Sequence, residues 1–102
     1  MNHTDCCSAK HRSTLRTEED KRNLINRLNR IEGQIRGIRG MLERNAYCND
    51  ILTQSAAVNA AINAFNRILI AQHLRGCVIR ELREGDDTVI DELTDTLQKL
   101  MK

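Results

Sequence analysis

Apolar residues recur every three or four positions through two long stretches of the chain, and no proline interrupts either stretch. This spacing puts them on one face of a helix, and a seven-residue repeat predicts that the face packs lengthwise on another helix. The first stretch predicts a helix from Glu18 to Arg44 and comprises Leu24, Leu28, Ile31, Ile35, Ile38 and Leu42. The second predicts a helix from Cys48 to Glu84 and comprises Ile51, Ser55, Val58, Ile62, Phe65 and Leu69.

Polar residues and one glycine mark the predicted helix ends. Thr17 is the expected cap of the first helix, and Asn49 or Asp50 that of the second. Gly85 is expected to end the second helix, because a positive φ costs glycine little. A third, shorter helix is then predicted from about Thr88 to Met101. The residues that could cap it are Asp86, Asp87 and Thr88.

The chain of 102 residues is long enough for one small domain with a modest core. We expect an all-α domain over residues 18–102, preceded by a mobile arm over residues 1–17. The long helices leave apolar surface uncovered, which predicts an antiparallel four-helix dimer that assembles further. No stretch predicts a membrane span or a signal peptide, so the expected location is the cytoplasm, where thiols stay reduced.

Three soft donors define a candidate metal site. His73 and Cys77 are four residues apart, which on one helix places them a turn apart on the same face. Cys48 lies 25 residues before His73, about 37 Å along a helix, so it cannot join them within the same chain. An antiparallel partner would bring its own Cys48 beside this His73 and Cys77. The pattern therefore predicts a site shared between subunits, two per dimer.

Two thiolates and one imidazole suit Cu(I) in three-coordinate geometry, or Zn(II) with a fourth ligand. Tyr47 beside Cys48 and Glu92 in the third helix are candidate outer partners, and Glu92 could orient the ring of His73. Each residue also has a structural reading: a histidine satisfied within a core, a buried cysteine acting as a small hydrophobe, a packed tyrosine or a solvated acid.

Charge is distributed unevenly. Seven basic and two acidic residues lie between Lys21 and Arg44, a net charge of +5, whereas residues 81–102 carry a net charge of −4. Such a basic segment favours phosphate contacts with duplex DNA, although charge on a long helix also serves solubility. One Phe, one Tyr and no Trp argue against a base-stacking surface for single strands. The arginines that lie off the first apolar repeat are Arg27, Arg30, Arg36 and Arg39.

The N-terminal arm holds further donors, His3, Cys6, Cys7 and His11, with almost no apolar neighbours. They could add metal ligands. A disordered tail that binds metal only weakly is the preferred reading.

Three motifs resemble the copper-sensing repressors of the CsoR family. They are the run RLNRIEGQIRGI at residues 27–38, the run YCNDILTQ at residues 47–54, and His73 with Cys77. The resemblance covers residues 20–102. It implies an all-helical repressor, a tetramer built as a dimer of dimers, whose apo form binds operator DNA and is released by Cu(I) to derepress copper-resistance genes.

The resemblance also implies roles for individual residues. Cys48 of one subunit, with His73 and Cys77 of the other, would be the Cu(I) ligands. Tyr47 and Glu92 match outer positions, and the basic positions implicated in operator binding match Arg27 and Arg67.

Alternatives remain open at this stage. Persulfide sensors of the same family share the two cysteines but lack the histidine. Nickel and cobalt sensors use further histidines near the N-terminus, for which His3 or His11 would serve. A copper buffer that does not bind DNA is a different class, and the basic segment argues against it. No paired carboxylates, phosphate loop or nucleophile with a positioned base can be assembled, so we do not expect an enzyme.

Overall fold

The computed structural model describes residues 16–85 and 87–101, and within these ranges the chain is helical and contains no strand. The helices are α1 (Glu18–Glu43), α2 (Cys48–His73), α3 (Ile79–Arg83) and α4 (Thr88–Leu100), with a π-helical turn at Leu74–Val78. The predicted all-α fold is confirmed. The predicted second helix corresponds to α2, the π turn and α3, which follow one another without a break.

Local hydrogen bonds account for both ends of α1. The Thr17 hydroxyl oxygen accepts the N–H of Asp20 at 3.0 Å, which confirms the predicted cap. At the other end, Asn45 has a φ of 57°, and the N–H of Ala46 donates to the carbonyl of Met41 at 2.9 Å. The left-handed conformation of Asn45 turns the chain so that the N–H of Ala46 reaches a carbonyl that the helix leaves open.

The start of α2 differs from the prediction. The backbone carbonyl of Tyr47 accepts the N–H groups of Asp50 at 3.0 Å and Ile51 at 3.2 Å. Asn49 and Asp50 lie inside the first turn, so the prediction that one of them caps the helix is wrong. A main-chain carbonyl already begins the hydrogen-bond ladder one residue before Cys48.

Gly85 ends α3 as predicted, with a φ of +86° that a residue with a side chain would adopt only under strain. Asp87 occupies the capping position of α4, but its side chain makes no capping hydrogen bond. Its carbonyl accepts the N–H of Ile90 at 3.1 Å instead. Asp86 lies outside the described residues.

The described chain packs as two compact units, the hairpin unit at Arg16–Ile70 and the C-terminal unit that begins at Ala71. In the hairpin unit, Leu24, Leu28, Phe65 and Leu69 are among the residues that line a cavity of about 240 Å³. The first turns of α1 therefore lie beside the last turns of α2, which makes the two helices antiparallel. The expected dimer and tetramer, and the single domain over 18–102, stay predictions.

Burial alternates along the apolar repeat in α1. Leu24 and Ile31 are 5% and 6% exposed, and Val58 of α2 is also buried. Leu28 and Ile35, on the other half of the repeat, are 46% and 49% exposed. The hairpin unit thus keeps an apolar stripe that its own chain leaves in contact with water.

The C-terminal unit has its core at the π turn. Cys77 and Val78 of the turn and Val89 of α4 are each 2% exposed. Glu81 in α3 is buried with them, and it is the one buried polar or charged residue in the described part of the chain. No helix among the described residues is both long and apolar enough to cross a membrane.

Candidate metal centre

His73 and Cys77 lie where the helix changes its hydrogen bonding. His73 is the last residue of α2 and is half-buried. The π turn follows at once, with the N–H of Ile79 donating to the carbonyl of Leu74, five residues earlier. Such turns are rare inside helices and are frequent at functional sites. The two donors remain one turn apart on one helical run, as the spacing predicts.

Cys48 is in a different environment. It is the first residue of α2 and is exposed, whereas Cys77 is buried. Since α2 contains 26 residues, Cys48 and His73 are separated by its full length, on the order of 37 Å. Among the described residues, no three His, Cys, Asp or Glu side chains are grouped so that they could hold a metal ion. The three predicted donors therefore do not form a site within the described part of one chain.

The chemistry of the donors still fits a soft ion. Two sulfur ligands and one imidazole favour Cu(I) or Zn(II) over Mg²⁺ or Ca²⁺, which prefer oxygen ligands. One sulfur is exposed and within reach of another molecule, while the other is buried four residues after the histidine. This division fits the predicted site shared between two subunits, which stays a prediction.

The predicted outer partners are both accessible. Tyr47 is 73% exposed, so its ring is not packed against the described residues. Glu92 lies on α4 and is exposed, and it takes part in interactions within the structure. Neither placement tests their predicted roles.

Sequence reasoning missed Glu81. It follows Cys77 by four residues, and it continues the stripe on which Leu69, His73 and Cys77 lie. The signal in the sequence was a carboxylate at a position where the helix stripe is otherwise mainly apolar.

The predicted basic residues lie mostly in solvent. Arg30, Arg36, Arg39 and Arg67 are exposed. Arg36 approaches Glu32 at 3.8 Å, but both side chains are about 70% exposed, so water and salt weaken this pair and leave the guanidinium available.

Arg27 is half-buried, and its Nε atom is buried without a hydrogen-bond partner. It therefore differs from the other four arginines in its freedom to reach a phosphate. These placements describe a basic helix surface and do not test DNA contact.

Comparison with known proteins places the chain beside metal-responsive regulators. Residues 20–99 match the family model described as metal-sensitive transcriptional repressor. A copper-sensing transcriptional repressor, CsoR of Bacillus subtilis, is 41% identical over 88 residues, covering 85% of this chain and 87% of its own. The copper-sensing repressor RicR of Mycobacterium tuberculosis is 45% identical over 67 residues, covering 66% and 70%.

Two solved structures share the fold. The copper-sensing repressor CsoR with Cu(I) from Geobacillus thermodenitrificans has a TM-score of 0.82 at 40% identity, covering 86% of this chain and 93% of that one. The nickel-responsive transcriptional regulator InrS has a TM-score of 0.68 at 35% identity, covering 83% and 97%.

Proposed function

The chain belongs to the metal-sensitive transcriptional repressor family, and we propose that it is a Cu(I)-responsive repressor of copper-resistance genes. In this proposal the apo protein binds operator DNA, and Cu(I) binding releases it. The observation that carries the proposal is the donor set: an exposed cysteine at the start of α2 and a histidine and buried cysteine at its end, in a chain similar to copper-sensing repressors.

The proposed ligands are Cys48 of one subunit with His73 and Cys77 of the partner subunit. The length of α2 supports a shared site, because it separates these donors within one chain. When bound, Cu(I) would link two subunits through these side chains. Tyr47 and Glu92 are the proposed outer partners, with Glu92 orienting the free ring nitrogen of His73.

A second copy of the chain is the proposed occupant of the exposed apolar stripe on α1. Leu28, Ile35 and Leu42 are each 46% to 66% exposed, and they recur at seven-residue spacing. Leu52 and Ile62 line an open groove on α2 in the same unit. An antiparallel partner covering both would bury this apolar area and form the four-helix dimer, with a tetramer as the proposed final assembly.

The proposed DNA contacts are phosphate contacts by Arg27, Arg30, Arg36, Arg39 and Arg67. The net charge of +5 over residues 21–44 supports them, and repetition by symmetry would extend the basic surface. Phosphate contacts contribute affinity and a steep salt dependence for duplex DNA.

Release follows from linkage between the two sites. A metal that binds the free repressor more tightly than the DNA-bound form must lower DNA affinity by the same factor. In the proposed route, Cys48 is drawn towards His73 and Cys77 of the partner subunit, α2 tilts, and the basic surface loses its fit to DNA. Glu92 would couple α4 to His73.

Nickel sensing is the second candidate, and the fold shared with InrS is the observation that favours it. The residues named for it, His3 and His11, lie outside the described residues. Thiol or persulfide sensing would make His73 dispensable, and a copper buffer would not need the basic surface.

The test is an operator-binding titration by fluorescence anisotropy, using duplex DNA from the promoter region of the protein's own gene. Cu(I), Ni(II), Zn(II) and a persulfide donor are compared in one buffer. We expect Cu(I) to lower operator affinity by at least about tenfold, within the range of coupling seen between allosteric sites. Equal affinity with and without Cu(I) would refute the proposal, and release by nickel or persulfide alone would replace it.

Two variants sharpen this titration. His73→Ala should abolish the response to Cu(I), whereas a full response would favour a thiol-based sensor. Asn49→Ala is the matched control, because Asn49 is exposed beside Cys48 and contributes no donor.

A further inference from the structure

Glu81 places a buried negative charge next to half of the proposed metal site. It is 5% exposed, and Cys77, four residues earlier in the same helical run, is 2% exposed. Side chains four apart on a helix are neighbours, with Cβ atoms about 6 Å apart. His73 lies one further turn back, so the carboxylate and the two donors share one stripe of the C-terminal unit.

Glu81 does not act as a third ligand in the described part of the chain, where no such group of donors forms. The influence considered for Glu81 is electrostatic, because the two thiolates and the imidazole already supply three ligands to the proposed site. Burial keeps water and salt from screening a charge, so the field of Glu81 is stronger than that of an exposed acid at the same distance. The basic residues of the same stretch, Arg75, Arg80 and Arg83, are exposed or half-buried and are better screened.

We propose that Glu81 is a specificity-determining residue that weakens the preference of the Cys48, His73 and Cys77 site for a monovalent over a divalent soft cation. This inference rests on the proposed function. Two thiolates with Cu(I) leave the site with one net negative charge, whereas two thiolates with Zn(II) leave it neutral. A fixed negative neighbour stabilises a divalent ion twice as much as a monovalent one, so it opposes the Cu(I) complex relative to the Zn(II) complex.

The ratio of the two affinities isolates this effect. Thiol deprotonation affects both metals alike at a given pH and cancels in the ratio. Cu(I) and Zn(II) are both d¹⁰ ions, so neither imposes a geometry through its d electrons. Removing the Glu81 charge should raise the ratio of Cu(I) to Zn(II) affinity by about tenfold, the effect of one close charge partner on a buried group.

The experiment measures Cu(I) and Zn(II) binding to the full chain by competition with chromophoric chelators, anaerobically and at one pH and ionic strength. Four proteins are compared: wild type, Glu81→Gln, Glu81→Asp and Glu84→Gln. Glu81→Asp keeps the charge and should keep the ratio. Glu84→Gln removes an exposed charge three residues further on, and it should change the ratio less than about twofold because solvent screens it.

A ratio in Glu81→Gln within twofold of wild type would overturn the inference. If far-UV circular dichroism shows that the amide disrupts folding, Glu81→Met removes the same charge with an apolar side chain of similar length, and the same tenfold rise is expected. Failure of the proposed function gives a different result. In that case Cu(I) would leave the operator affinity of the wild-type protein unchanged, a result that does not depend on the ratio of the two metal affinities.

Discussion

The two ends of α2 present their sulfur atoms in opposite ways. At the start of the helix Cys48 is exposed, in a regular first turn capped by the carbonyl of Tyr47. After its last residue, the π turn holds Cys77 in a core with Val78 and Val89. One end is thus built to meet another molecule, and the other is built to hold a donor in place. The proposed antiparallel pairing of two chains would bring one end of each kind together.

The largest expected effect comes from removing either sulfur. Cys48→Ala and Cys77→Ala should each lower Cu(I) affinity by more than about 100-fold, because loss of a ligand should exceed the 10- to 100-fold loss seen for outer partners. Chelator competition measures this. The Asn49→Ala control should bind as wild type does.

Mixing the two variants tests whether the site is shared. A mixed dimer has one site with all three donors intact and one site lacking both cysteines. Random pairing should then restore about a quarter of the wild-type sites. The two variants are unfolded and refolded together before Cu(I) binding is measured. If no Cu(I) sites are then recovered, the site is not shared between two subunits.

The next largest expected effect separates the buried positions of the α1 repeat from its exposed positions. Ile31→Ala should cost about 3 kcal/mol of unfolding free energy, because Ile31 is 6% exposed and its truncation leaves a cavity. Ile35→Ala should change the fold of the single chain little and weaken subunit association instead, since Ile35 is 49% exposed. Urea unfolding and sedimentation at several protein concentrations separate the two. Unfolding that depends equally on concentration in both variants would contradict this division.

A smaller effect distinguishes the two cysteines by stability alone. Cys77→Ala should cost about 1 kcal/mol, because a buried cysteine behaves as a small hydrophobe. Cys48→Ala should stay within about 0.5 kcal/mol of wild type, as is usual for exposed positions. Thermal unfolding of the metal-free proteins gives both values. Equal losses would mean that Cys48 is also packed in the assembled protein.

Local signals explain why so much of the fold was predictable. Thr17, Gly85 and the apolar repeats act through hydrogen bonds and contacts within a few residues, and the helix ends they predict agree with the structure to within a residue or two. The predicted side-chain cap of α2 was wrong because the backbone carbonyl of Tyr47 accepts the N–H of Asp50. Every residue carries such a carbonyl, so the sequence gives no signal for this bond. The apolar repeat of α1 also does not indicate which of its residues pack within the chain and which stay exposed.

The candidate site was predictable only in its donors. The spacing of His73 and Cys77 places them one turn apart in either an α or a π turn, so it gives no sign of which one forms. Glu81 is 5% exposed, and the spacing of residues along one helix does not indicate which of them other parts of the chain will cover. The partnership of Cys48 with the other two donors involves a second chain and stays a prediction.

The smallest expected effect tests whether the π turn depends on its glycine. A Cβ atom added at Gly76 would meet nothing within 4 Å, so Gly76→Ala fits without moving a neighbour. Alanine costs less backbone entropy than glycine in a helix, and we expect a gain of about 0.5 to 1 kcal/mol in thermal stability. Cu(I) affinity should then change less than about threefold. The reason is that the packing of the buried residues Cys77 and Val78 should keep the π turn in place whether residue 76 is glycine or alanine. If the variant is more stable but loses much more Cu(I) affinity, then the turn that carries Cys77 must move when Cu(I) binds. The exposed end of α2 at Cys48 is expected to move in the same way.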